Sequence, residues 1–203
     1  MKKIVVAISG ASGIQYGVRT LEVLSGLGIE THLVITKSGI NNLSMETRYA
    51  RSDLESMASY VYDFEDVGAS IASGSFHVDG MIVAPCSIKT LSAIANSYNS
   101  NLVVRAADVT LKERRRLVLL VRETPLHEGH LELMLKVTRI GGIIMPPIPA
   151  FYHQPETIMD IVDQTIGKAL DLFSIDAKLF TRWGTENREP EMTCPQPLYH
   201  FQG

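Results

Sequence analysis

Two segments of this chain bring together groups that bind anions. Gly10-Ala11-Ser12-Gly13 follows the apolar run Lys3-Ile4-Val5-Val6-Ala7-Ile8, and Pro85-Cys86-Ser87-Ile88-Lys89-Thr90 follows the run Met81 to Ala84. A strand that enters a glycine turn and then a helix aims backbone N–H groups and the positive helix end at one point, where phosphate binds. Gly10 and Gly13 allow a sharp turn and a close approach, and Ser12 adds a hydroxyl. The spacing is not the G-x-G-x-x-G of dinucleotide sites, and a tight turn without a ligand has the same local pattern. Ser87 and Thr90 open a helix, where hydroxyls either cap the backbone or hold a phosphate. With the glycine loop at the same sheet edge, the phosphate reading is preferred.

Further candidates follow other strand-like runs. Thr36-Lys37-Ser38 follows Thr31 to Ile35. Arg122-Glu123 follows Leu117 to Val121, and reads either as a structural ion pair or as an arginine fork for phosphate beside a carboxylate for proton transfer. Lys112-Glu113-Arg114-Arg115-Arg116 reads as a solvated charge run, or, through Lys112 with Arg105 and Arg122, as an anion-binding cluster for a second anionic ligand. Glu46 ends a helical stretch and on its own reads as a solvated acid. His127 and His130 are three apart, not the four of H-E-x-x-H, so no metal site is expected. Cys86 has no adjacent base and reads as a small buried thiol, and Trp183 as a packing residue. Tyr152 follows Pro146, Pro147 and Pro149, a stiff loop that either walls an apolar substrate or simply packs.

The elements that would position these residues are legible as alternating units. Near-continuous apolar runs at Ile4 to Ile8, Thr31 to Ile35, Met81 to Ala84, Leu117 to Val121 and Ile143 to Met145 predict strands buried on both faces. Helical periodicity covers Gln15 to Leu27, Gly39 to Glu46, Ile88 to Ser97, Leu126 to Arg139 and Glu156 to Leu172. The alternation predicts an α/β fold with a doubly wound parallel sheet in three αβα layers, whose ligand lies beyond the carboxyl ends of the strands. One domain is expected over residues 1–184, with an extended or disordered tail over 185–203.

Composition bounds the class. The 203 residues are 45% hydrophobic and 20% charged with a net charge of −3, which gives an ordinary globular domain without a nucleic-acid footprint. Two cysteines, Cys86 and Cys194, make neither a disulfide framework nor a zinc cluster. No apolar run approaches the ~20 residues of a membrane span, and the amino terminus lacks a signal peptide's pattern, so a reducing, cytoplasmic setting is expected.

Six ordered motifs resemble the UbiX flavin prenyltransferases: Gly10-Ala11-Ser12-Gly13, Pro85 to Leu91, Arg105-Ala106-Ala107-Asp108-Val109, Leu111 to Arg115, Arg122 to His127 and Pro146 to His153. The resemblance runs from Lys3 to about Trp183. It implies a flavodoxin-like Rossmann domain assembled as a homododecamer. It also implies transfer of a dimethylallyl group from dimethylallyl monophosphate to N5 and then C6 of reduced FMN, without a metal. The product, prenylated FMN, would serve a UbiD-type decarboxylase. By position, the resemblance places Gly10, Ala11, Ser12, Thr36, Ser87, Ile88, Lys89 and Thr90 on FMN, with Ser12 as a proton relay near N5. It brings Arg122 to the flavin from a neighbouring subunit, and puts Lys112, Tyr152, Lys168 and Arg182 on the dimethylallyl phosphate. Glu123 falls near that phosphate and Glu46 near the reacting flavin, so Ser12, Glu46 and Glu123 are the implied catalytic residues. Arg48 and Arg116 depart from the family's usual Asp and Pro. The alternatives are an FMN-dependent cysteine decarboxylase of the same fold and a non-catalytic FMN carrier. No histidine lies between Ile35 and Phe76 to serve the former, and a carrier needs no Lys112, Lys168 and Arg182.

Overall fold

The computed structural model describes residues 2–184; the tail expectation for 185–203 lies outside them. Six parallel strands form one sheet: β1 Lys3–Ile8, β2 Glu30–Ile35, β3 Tyr60–Tyr62, β4 Gly80–Cys86, β5 Arg116–Val121 and β6 Ile143–Ile144, in the order β3-β2-β1-β4-β5-β6. Without the short edge strand β3, the remaining order is the flavodoxin-like one; with it, the order is that of a doubly wound dinucleotide fold. Seven α-helices connect the strands: α1 Ile14–Gly26, α2 Lys37–Glu46, α3 Arg51–Met57, α4 Ile88–Ala95, α5 Leu102–Lys112, α6 Glu128–Arg139 and α7 Ile158–Asp171.

The apolar runs become strands because both faces are covered. On β1, Ile4, Val6 and Ile8 pack with Val18 and Leu21 of α1 and Ile166 of α7. Val5 and Ala7 point the other way, into a core shared with Leu91 of α4, Leu102 and Val103 of α5 and Val137 of α6. Close packing holds α1 against the sheet: a Cβ on Gly17 would overlap the Ala84 carbonyl oxygen. Strand order reverses between β1 and β4, and this switch point is where the ends of both strands leave a crevice.

Three elements lie outside the sequence expectation. Helix α5 occupies 102–112, so the charge run from Lys112 is split between the end of a helix and the first residue of β5. Helix α3 and strand β3 fill the connection after α2.

Candidate functional site

A cavity of about 740 Å³ opens at the switch point, a size usual for a small-molecule site. Gly10 from the end of β1, Thr36 and Ser38 from the end of β2, and Ser87, Lys89 and Thr90 from the end of β4 line one part of it. Phe64, Ala93 and Val104 give it apolar walls. Helix α4 turns one face to it, since Ser87, Thr90, Ala93 and Asn96 all line it at three-residue intervals. The cavity thus joins hydroxyls, a lysine and a helix amino end to flat apolar surface, which fits a phosphorylated aromatic ligand such as FMN.

Local sequence explains this arrangement. Ser87 is the cap of α4: its Oγ accepts from Thr90 N at 3.3 Å and donates to Thr90 Oγ1 at 3.1 Å. Ser9 Oγ holds the preceding backbone, accepting from Ser87 N at 2.8 Å and donating to Pro85 O at 2.8 Å. Thr36 caps α2 by accepting from Gly39 N at 3.0 Å. Gly10 is required by close approach, because a Cβ there would overlap the Ser38 side chain and lie 3.2 Å from the Ser38 carbonyl carbon.

The glycine loop differs from the first expectation. Gly13 takes the cap position of α1 with φ 99°, and it has no side chain to satisfy the helix start. Glu46 does so from the last residue of α2: its Oε2 accepts from Gly13 N at 2.7 Å and from Ile14 N at 3.0 Å. The phosphate-binding end read from the glycines is therefore filled by the protein's own carboxylate. Ser12 stands exposed beside this contact, and Ala11 is buried next to it. Sequence alone reads Glu46 as solvated; nothing in its spacing announces that it caps a helix 33 residues away.

Arg122 and Glu123 leave β5 at the same sheet edge. Arg122 N donates to Cys86 O at 3.0 Å, and both side chains are exposed. The ion-pair reading is not met: Arg122 has no carboxylate partner among the described residues. Glu123 instead accepts from Thr124 N at 3.0 Å.

The expected cluster of Arg105, Lys112 and Arg122 does not form within one chain. Arg105 is tied to Ala72 O at 3.1 Å and Asp108 at 3.4 Å. Lys112 pairs with Glu113 where α5 turns into the start of β5, at the amino edge of the sheet, opposite the cavity. Arg122 stands at the carboxyl edge. The reason is topological: Lys112 precedes a strand, whereas the cavity residues follow strands.

Tyr152, Lys168 and Arg182 gather around α7 and do not line the cavity. Arg182 donates to Asp171 at 2.7 and 2.6 Å and to Asp176 at 3.1 Å. The hydrogen bond from Arg182 holds the Asp171 carboxyl below its usual range, and the Asp171 and Asp176 carboxylates in turn raise the guanidinium. Tyr152 meets the rings of His153 and Trp183 edge-on at 5.5 and 5.6 Å. Trp183 is exposed, so it does not pack in the core of this chain. Both ring nitrogens of His153 are enclosed without a hydrogen-bond partner, a feature its place in the proline loop did not reveal. Cys86 is fully buried as expected, and burial pushes its thiol far up.

Known proteins share this chain's features over nearly its whole length. A family model described as flavoprotein matches residues 1–175. The flavin prenyltransferase UbiX of Thauera aromatica is 58% identical over 188 residues, 92% of this chain and 97% of the relative. The crystal structure of AnUbiX (PadA1) in complex with FMN and dimethylallyl pyrophosphate matches with a TM-score of 0.89 at 50% identity, over 90% of this chain and 97% of that one. A dodecameric FMN-dependent UbiX-like decarboxylase from Escherichia coli O157:H7 matches with a TM-score of 0.87 at 45% identity, over 89% of this chain and 98% of that one.

Proposed function

The chain belongs to the UbiX family of flavin prenyltransferases, and from that membership we propose that its switch-point cavity binds FMN for prenylation by dimethylallyl monophosphate. The observation that carries this reading is the cavity itself, where Ser87, Lys89, Thr90 and the amino end of α4 stand beside apolar walls. Those hydroxyls would hold the FMN phosphate. Bound in reduced form, the flavin supplies the two positions, N5 and C6, that become bonded to the prenyl carbons.

The chain's own residues handle charge and water. Breaking the allylic C–O bond puts negative charge on the departing phosphate, and cations that hold it lower the barrier. Lys112, Lys168 and Arg182 are the cations for this task, and Arg122 serves the flavin. Tyr152 presents a π face that shelters allylic positive charge and excludes water. Ser12 and Glu46, adjacent at the start of α1, hold or pass a proton on the flavin side, and Glu123 does so on the phosphate side.

Because Lys112 stands at the opposite sheet edge from Ser87, a site that uses both takes Lys112 from another copy of the chain. The assembly is thus part of the site, and we read it as a homododecamer. The product passes to a UbiD-type decarboxylase in the cytoplasm. Among the described residues no helix is long and apolar enough to cross a membrane.

The reading is tested by anaerobic incubation of the protein with reduced FMN and dimethylallyl monophosphate. The expected result is a flavin heavier by one five-carbon prenyl unit in the mass spectrum. Unchanged FMN overturns the activity. Subunit sharing is tested by mixing Lys112→Ala protein with Ser87→Ala/Thr90→Ala protein under conditions of subunit exchange, at an FMN concentration where neither turns over alone. Recovered turnover supports it, and none refutes it.

A further inference from the structure

Three helices, α1, α2 and α4, start at the carboxyl edge of the sheet around the switch point; residues at the starts of α2 and α4 line the cavity, the α1 start lies beside it after Gly10, and the three ends are not equivalent. The end of α2 is closed by Thr36, whose hydroxyl accepts from Gly39 N at 3.0 Å. The end of α4 has only the long 3.3 Å bond from Thr90 N to Ser87 Oγ, and its residues line the cavity. The end of α1 has a glycine at its cap and would present two bare amides, Gly13 N and Ile14 N. Glu46 occupies both with one carboxylate oxygen. That is the contact a phosphate oxygen makes at such an end. Helix α2 delivers it by lying along the carboxyl edge, its first residues at the cavity and its last beside α1.

We propose that Glu46 is a built-in anion that closes the α1 end to phosphate and thereby sets the direction in which FMN lies. A phosphate approaching α1 meets donors already taken and a like charge, and both effects drive it to the α4 end. The flavin ring is then left toward Ser12 and Glu46. Glu46 is in this respect a positioning residue, whatever proton it also handles. The inference rests on the FMN reading, and its test separates the two.

The first measurement is inorganic phosphate bound per chain by the flavin-free protein, by equilibrium dialysis. Glu46→Ala is expected to take up one phosphate per chain more than the unaltered protein. Glu46→Gln keeps an acceptor oxygen on both amides and is expected to match the unaltered protein. If Glu46→Ala gains no phosphate, or Glu46→Gln gains as much as Glu46→Ala, the proposal is overturned. Glu46→Ser serves in place of Glu46→Ala if the latter does not fold. The second measurement is coupling. Removing the Ser87 and Thr90 hydroxyls should weaken FMN binding at least tenfold less in a Glu46→Ala background, where the phosphate has a second end to use. Equal losses in both backgrounds refute the proposal, since a merely structural Glu46 would leave the cost unchanged. Absence of FMN binding by the unaltered protein would refute the underlying reading instead, without touching the phosphate count.

Discussion

Replacing Ser87 and Thr90 together with alanine separates what the α4 end does for the ligand from what it does for the fold. Ser87 Oγ accepts from Thr90 N at 3.3 Å and donates to Thr90 Oγ1 at 3.1 Å, so the pair caps the helix while facing the cavity. A hydrogen bond to a charged group contributes about 1.5–3 kcal/mol. The backbone amides and Lys89 remain, so the low end applies to each hydroxyl. The sum is about 3 kcal/mol, or roughly 10²-fold in the Kd for FMN. Loss of the cap costs about 1 kcal/mol of stability, a fall of about 2–4 °C in Tm for a domain of this size. The assay is flavin fluorescence titration with FMN and, in parallel, with riboflavin, which lacks the phosphate. Riboflavin should bind both proteins alike. FMN affinity within threefold of the unaltered protein, or an equal loss for riboflavin, would show that the hydroxyls do not hold the phosphate.

Three further outcomes are expected. Gly10→Ala forces the Ser38 backbone away from β1, so it should destabilise the protein by about 1–3 kcal/mol in urea unfolding and weaken FMN binding; unchanged stability would remove the close-approach argument. Glu123→Gln should slow prenyl-flavin formation by about 10²-fold at saturating substrate while leaving FMN affinity intact, and a rate equal to the unaltered protein's would make Glu123 a local structural acid only. His32 is buried among Tyr60, Tyr62 and Phe76, with hydrogen bonds to Tyr62 and Glu30, and burial lowers its pKa below the ordinary 6.5. The unfolded chain therefore binds this proton more readily, and the contribution of His32 is present above about pH 6.5 and lost as pH falls through the lowered value. Urea midpoints should drop between pH 7.5 and 5.5, with a shallower drop in His32→Gln; parallel slopes would clear His32 of the effect.

How much of this was readable from residues follows from where each signal is local. The strands β1, β2, β4 and β5 announce themselves because burial on both faces demands unbroken apolar runs. Strand β3 carries no such signal, since Tyr60 and Val61 lie exposed at the sheet edge. Helix α5 is rich in valine, which lowers helix propensity, and the charge run masks its end; its one local mark is Asn101, whose side chain accepts from Val104 N at 3.1 Å. Ser87, Thr90 and Thr36 are legible because their chemistry and their place after a strand coincide. The capping role of Glu46 is not, because it joins the end of one helix to the start of another. The separation of Lys112 from the cavity is legible in retrospect, from its position before β5 rather than after it.

The sheet's margins have a consequence for how copies of this chain meet. One edge strand is three residues long and the other two, so each margin offers very little unpaired backbone. Short edges resist the strand-to-strand pairing that leads to open-ended aggregates. In the assembly proposed above, copies would recognise one another through side chains on helices and loops, where contact is set by shape and charge. Exposed groups such as Ile148, Phe151, Ile158 and Trp183 are available for such a contact. A contact of that kind has one fixed rotation between copies, and that rotation decides whether they close into a ring.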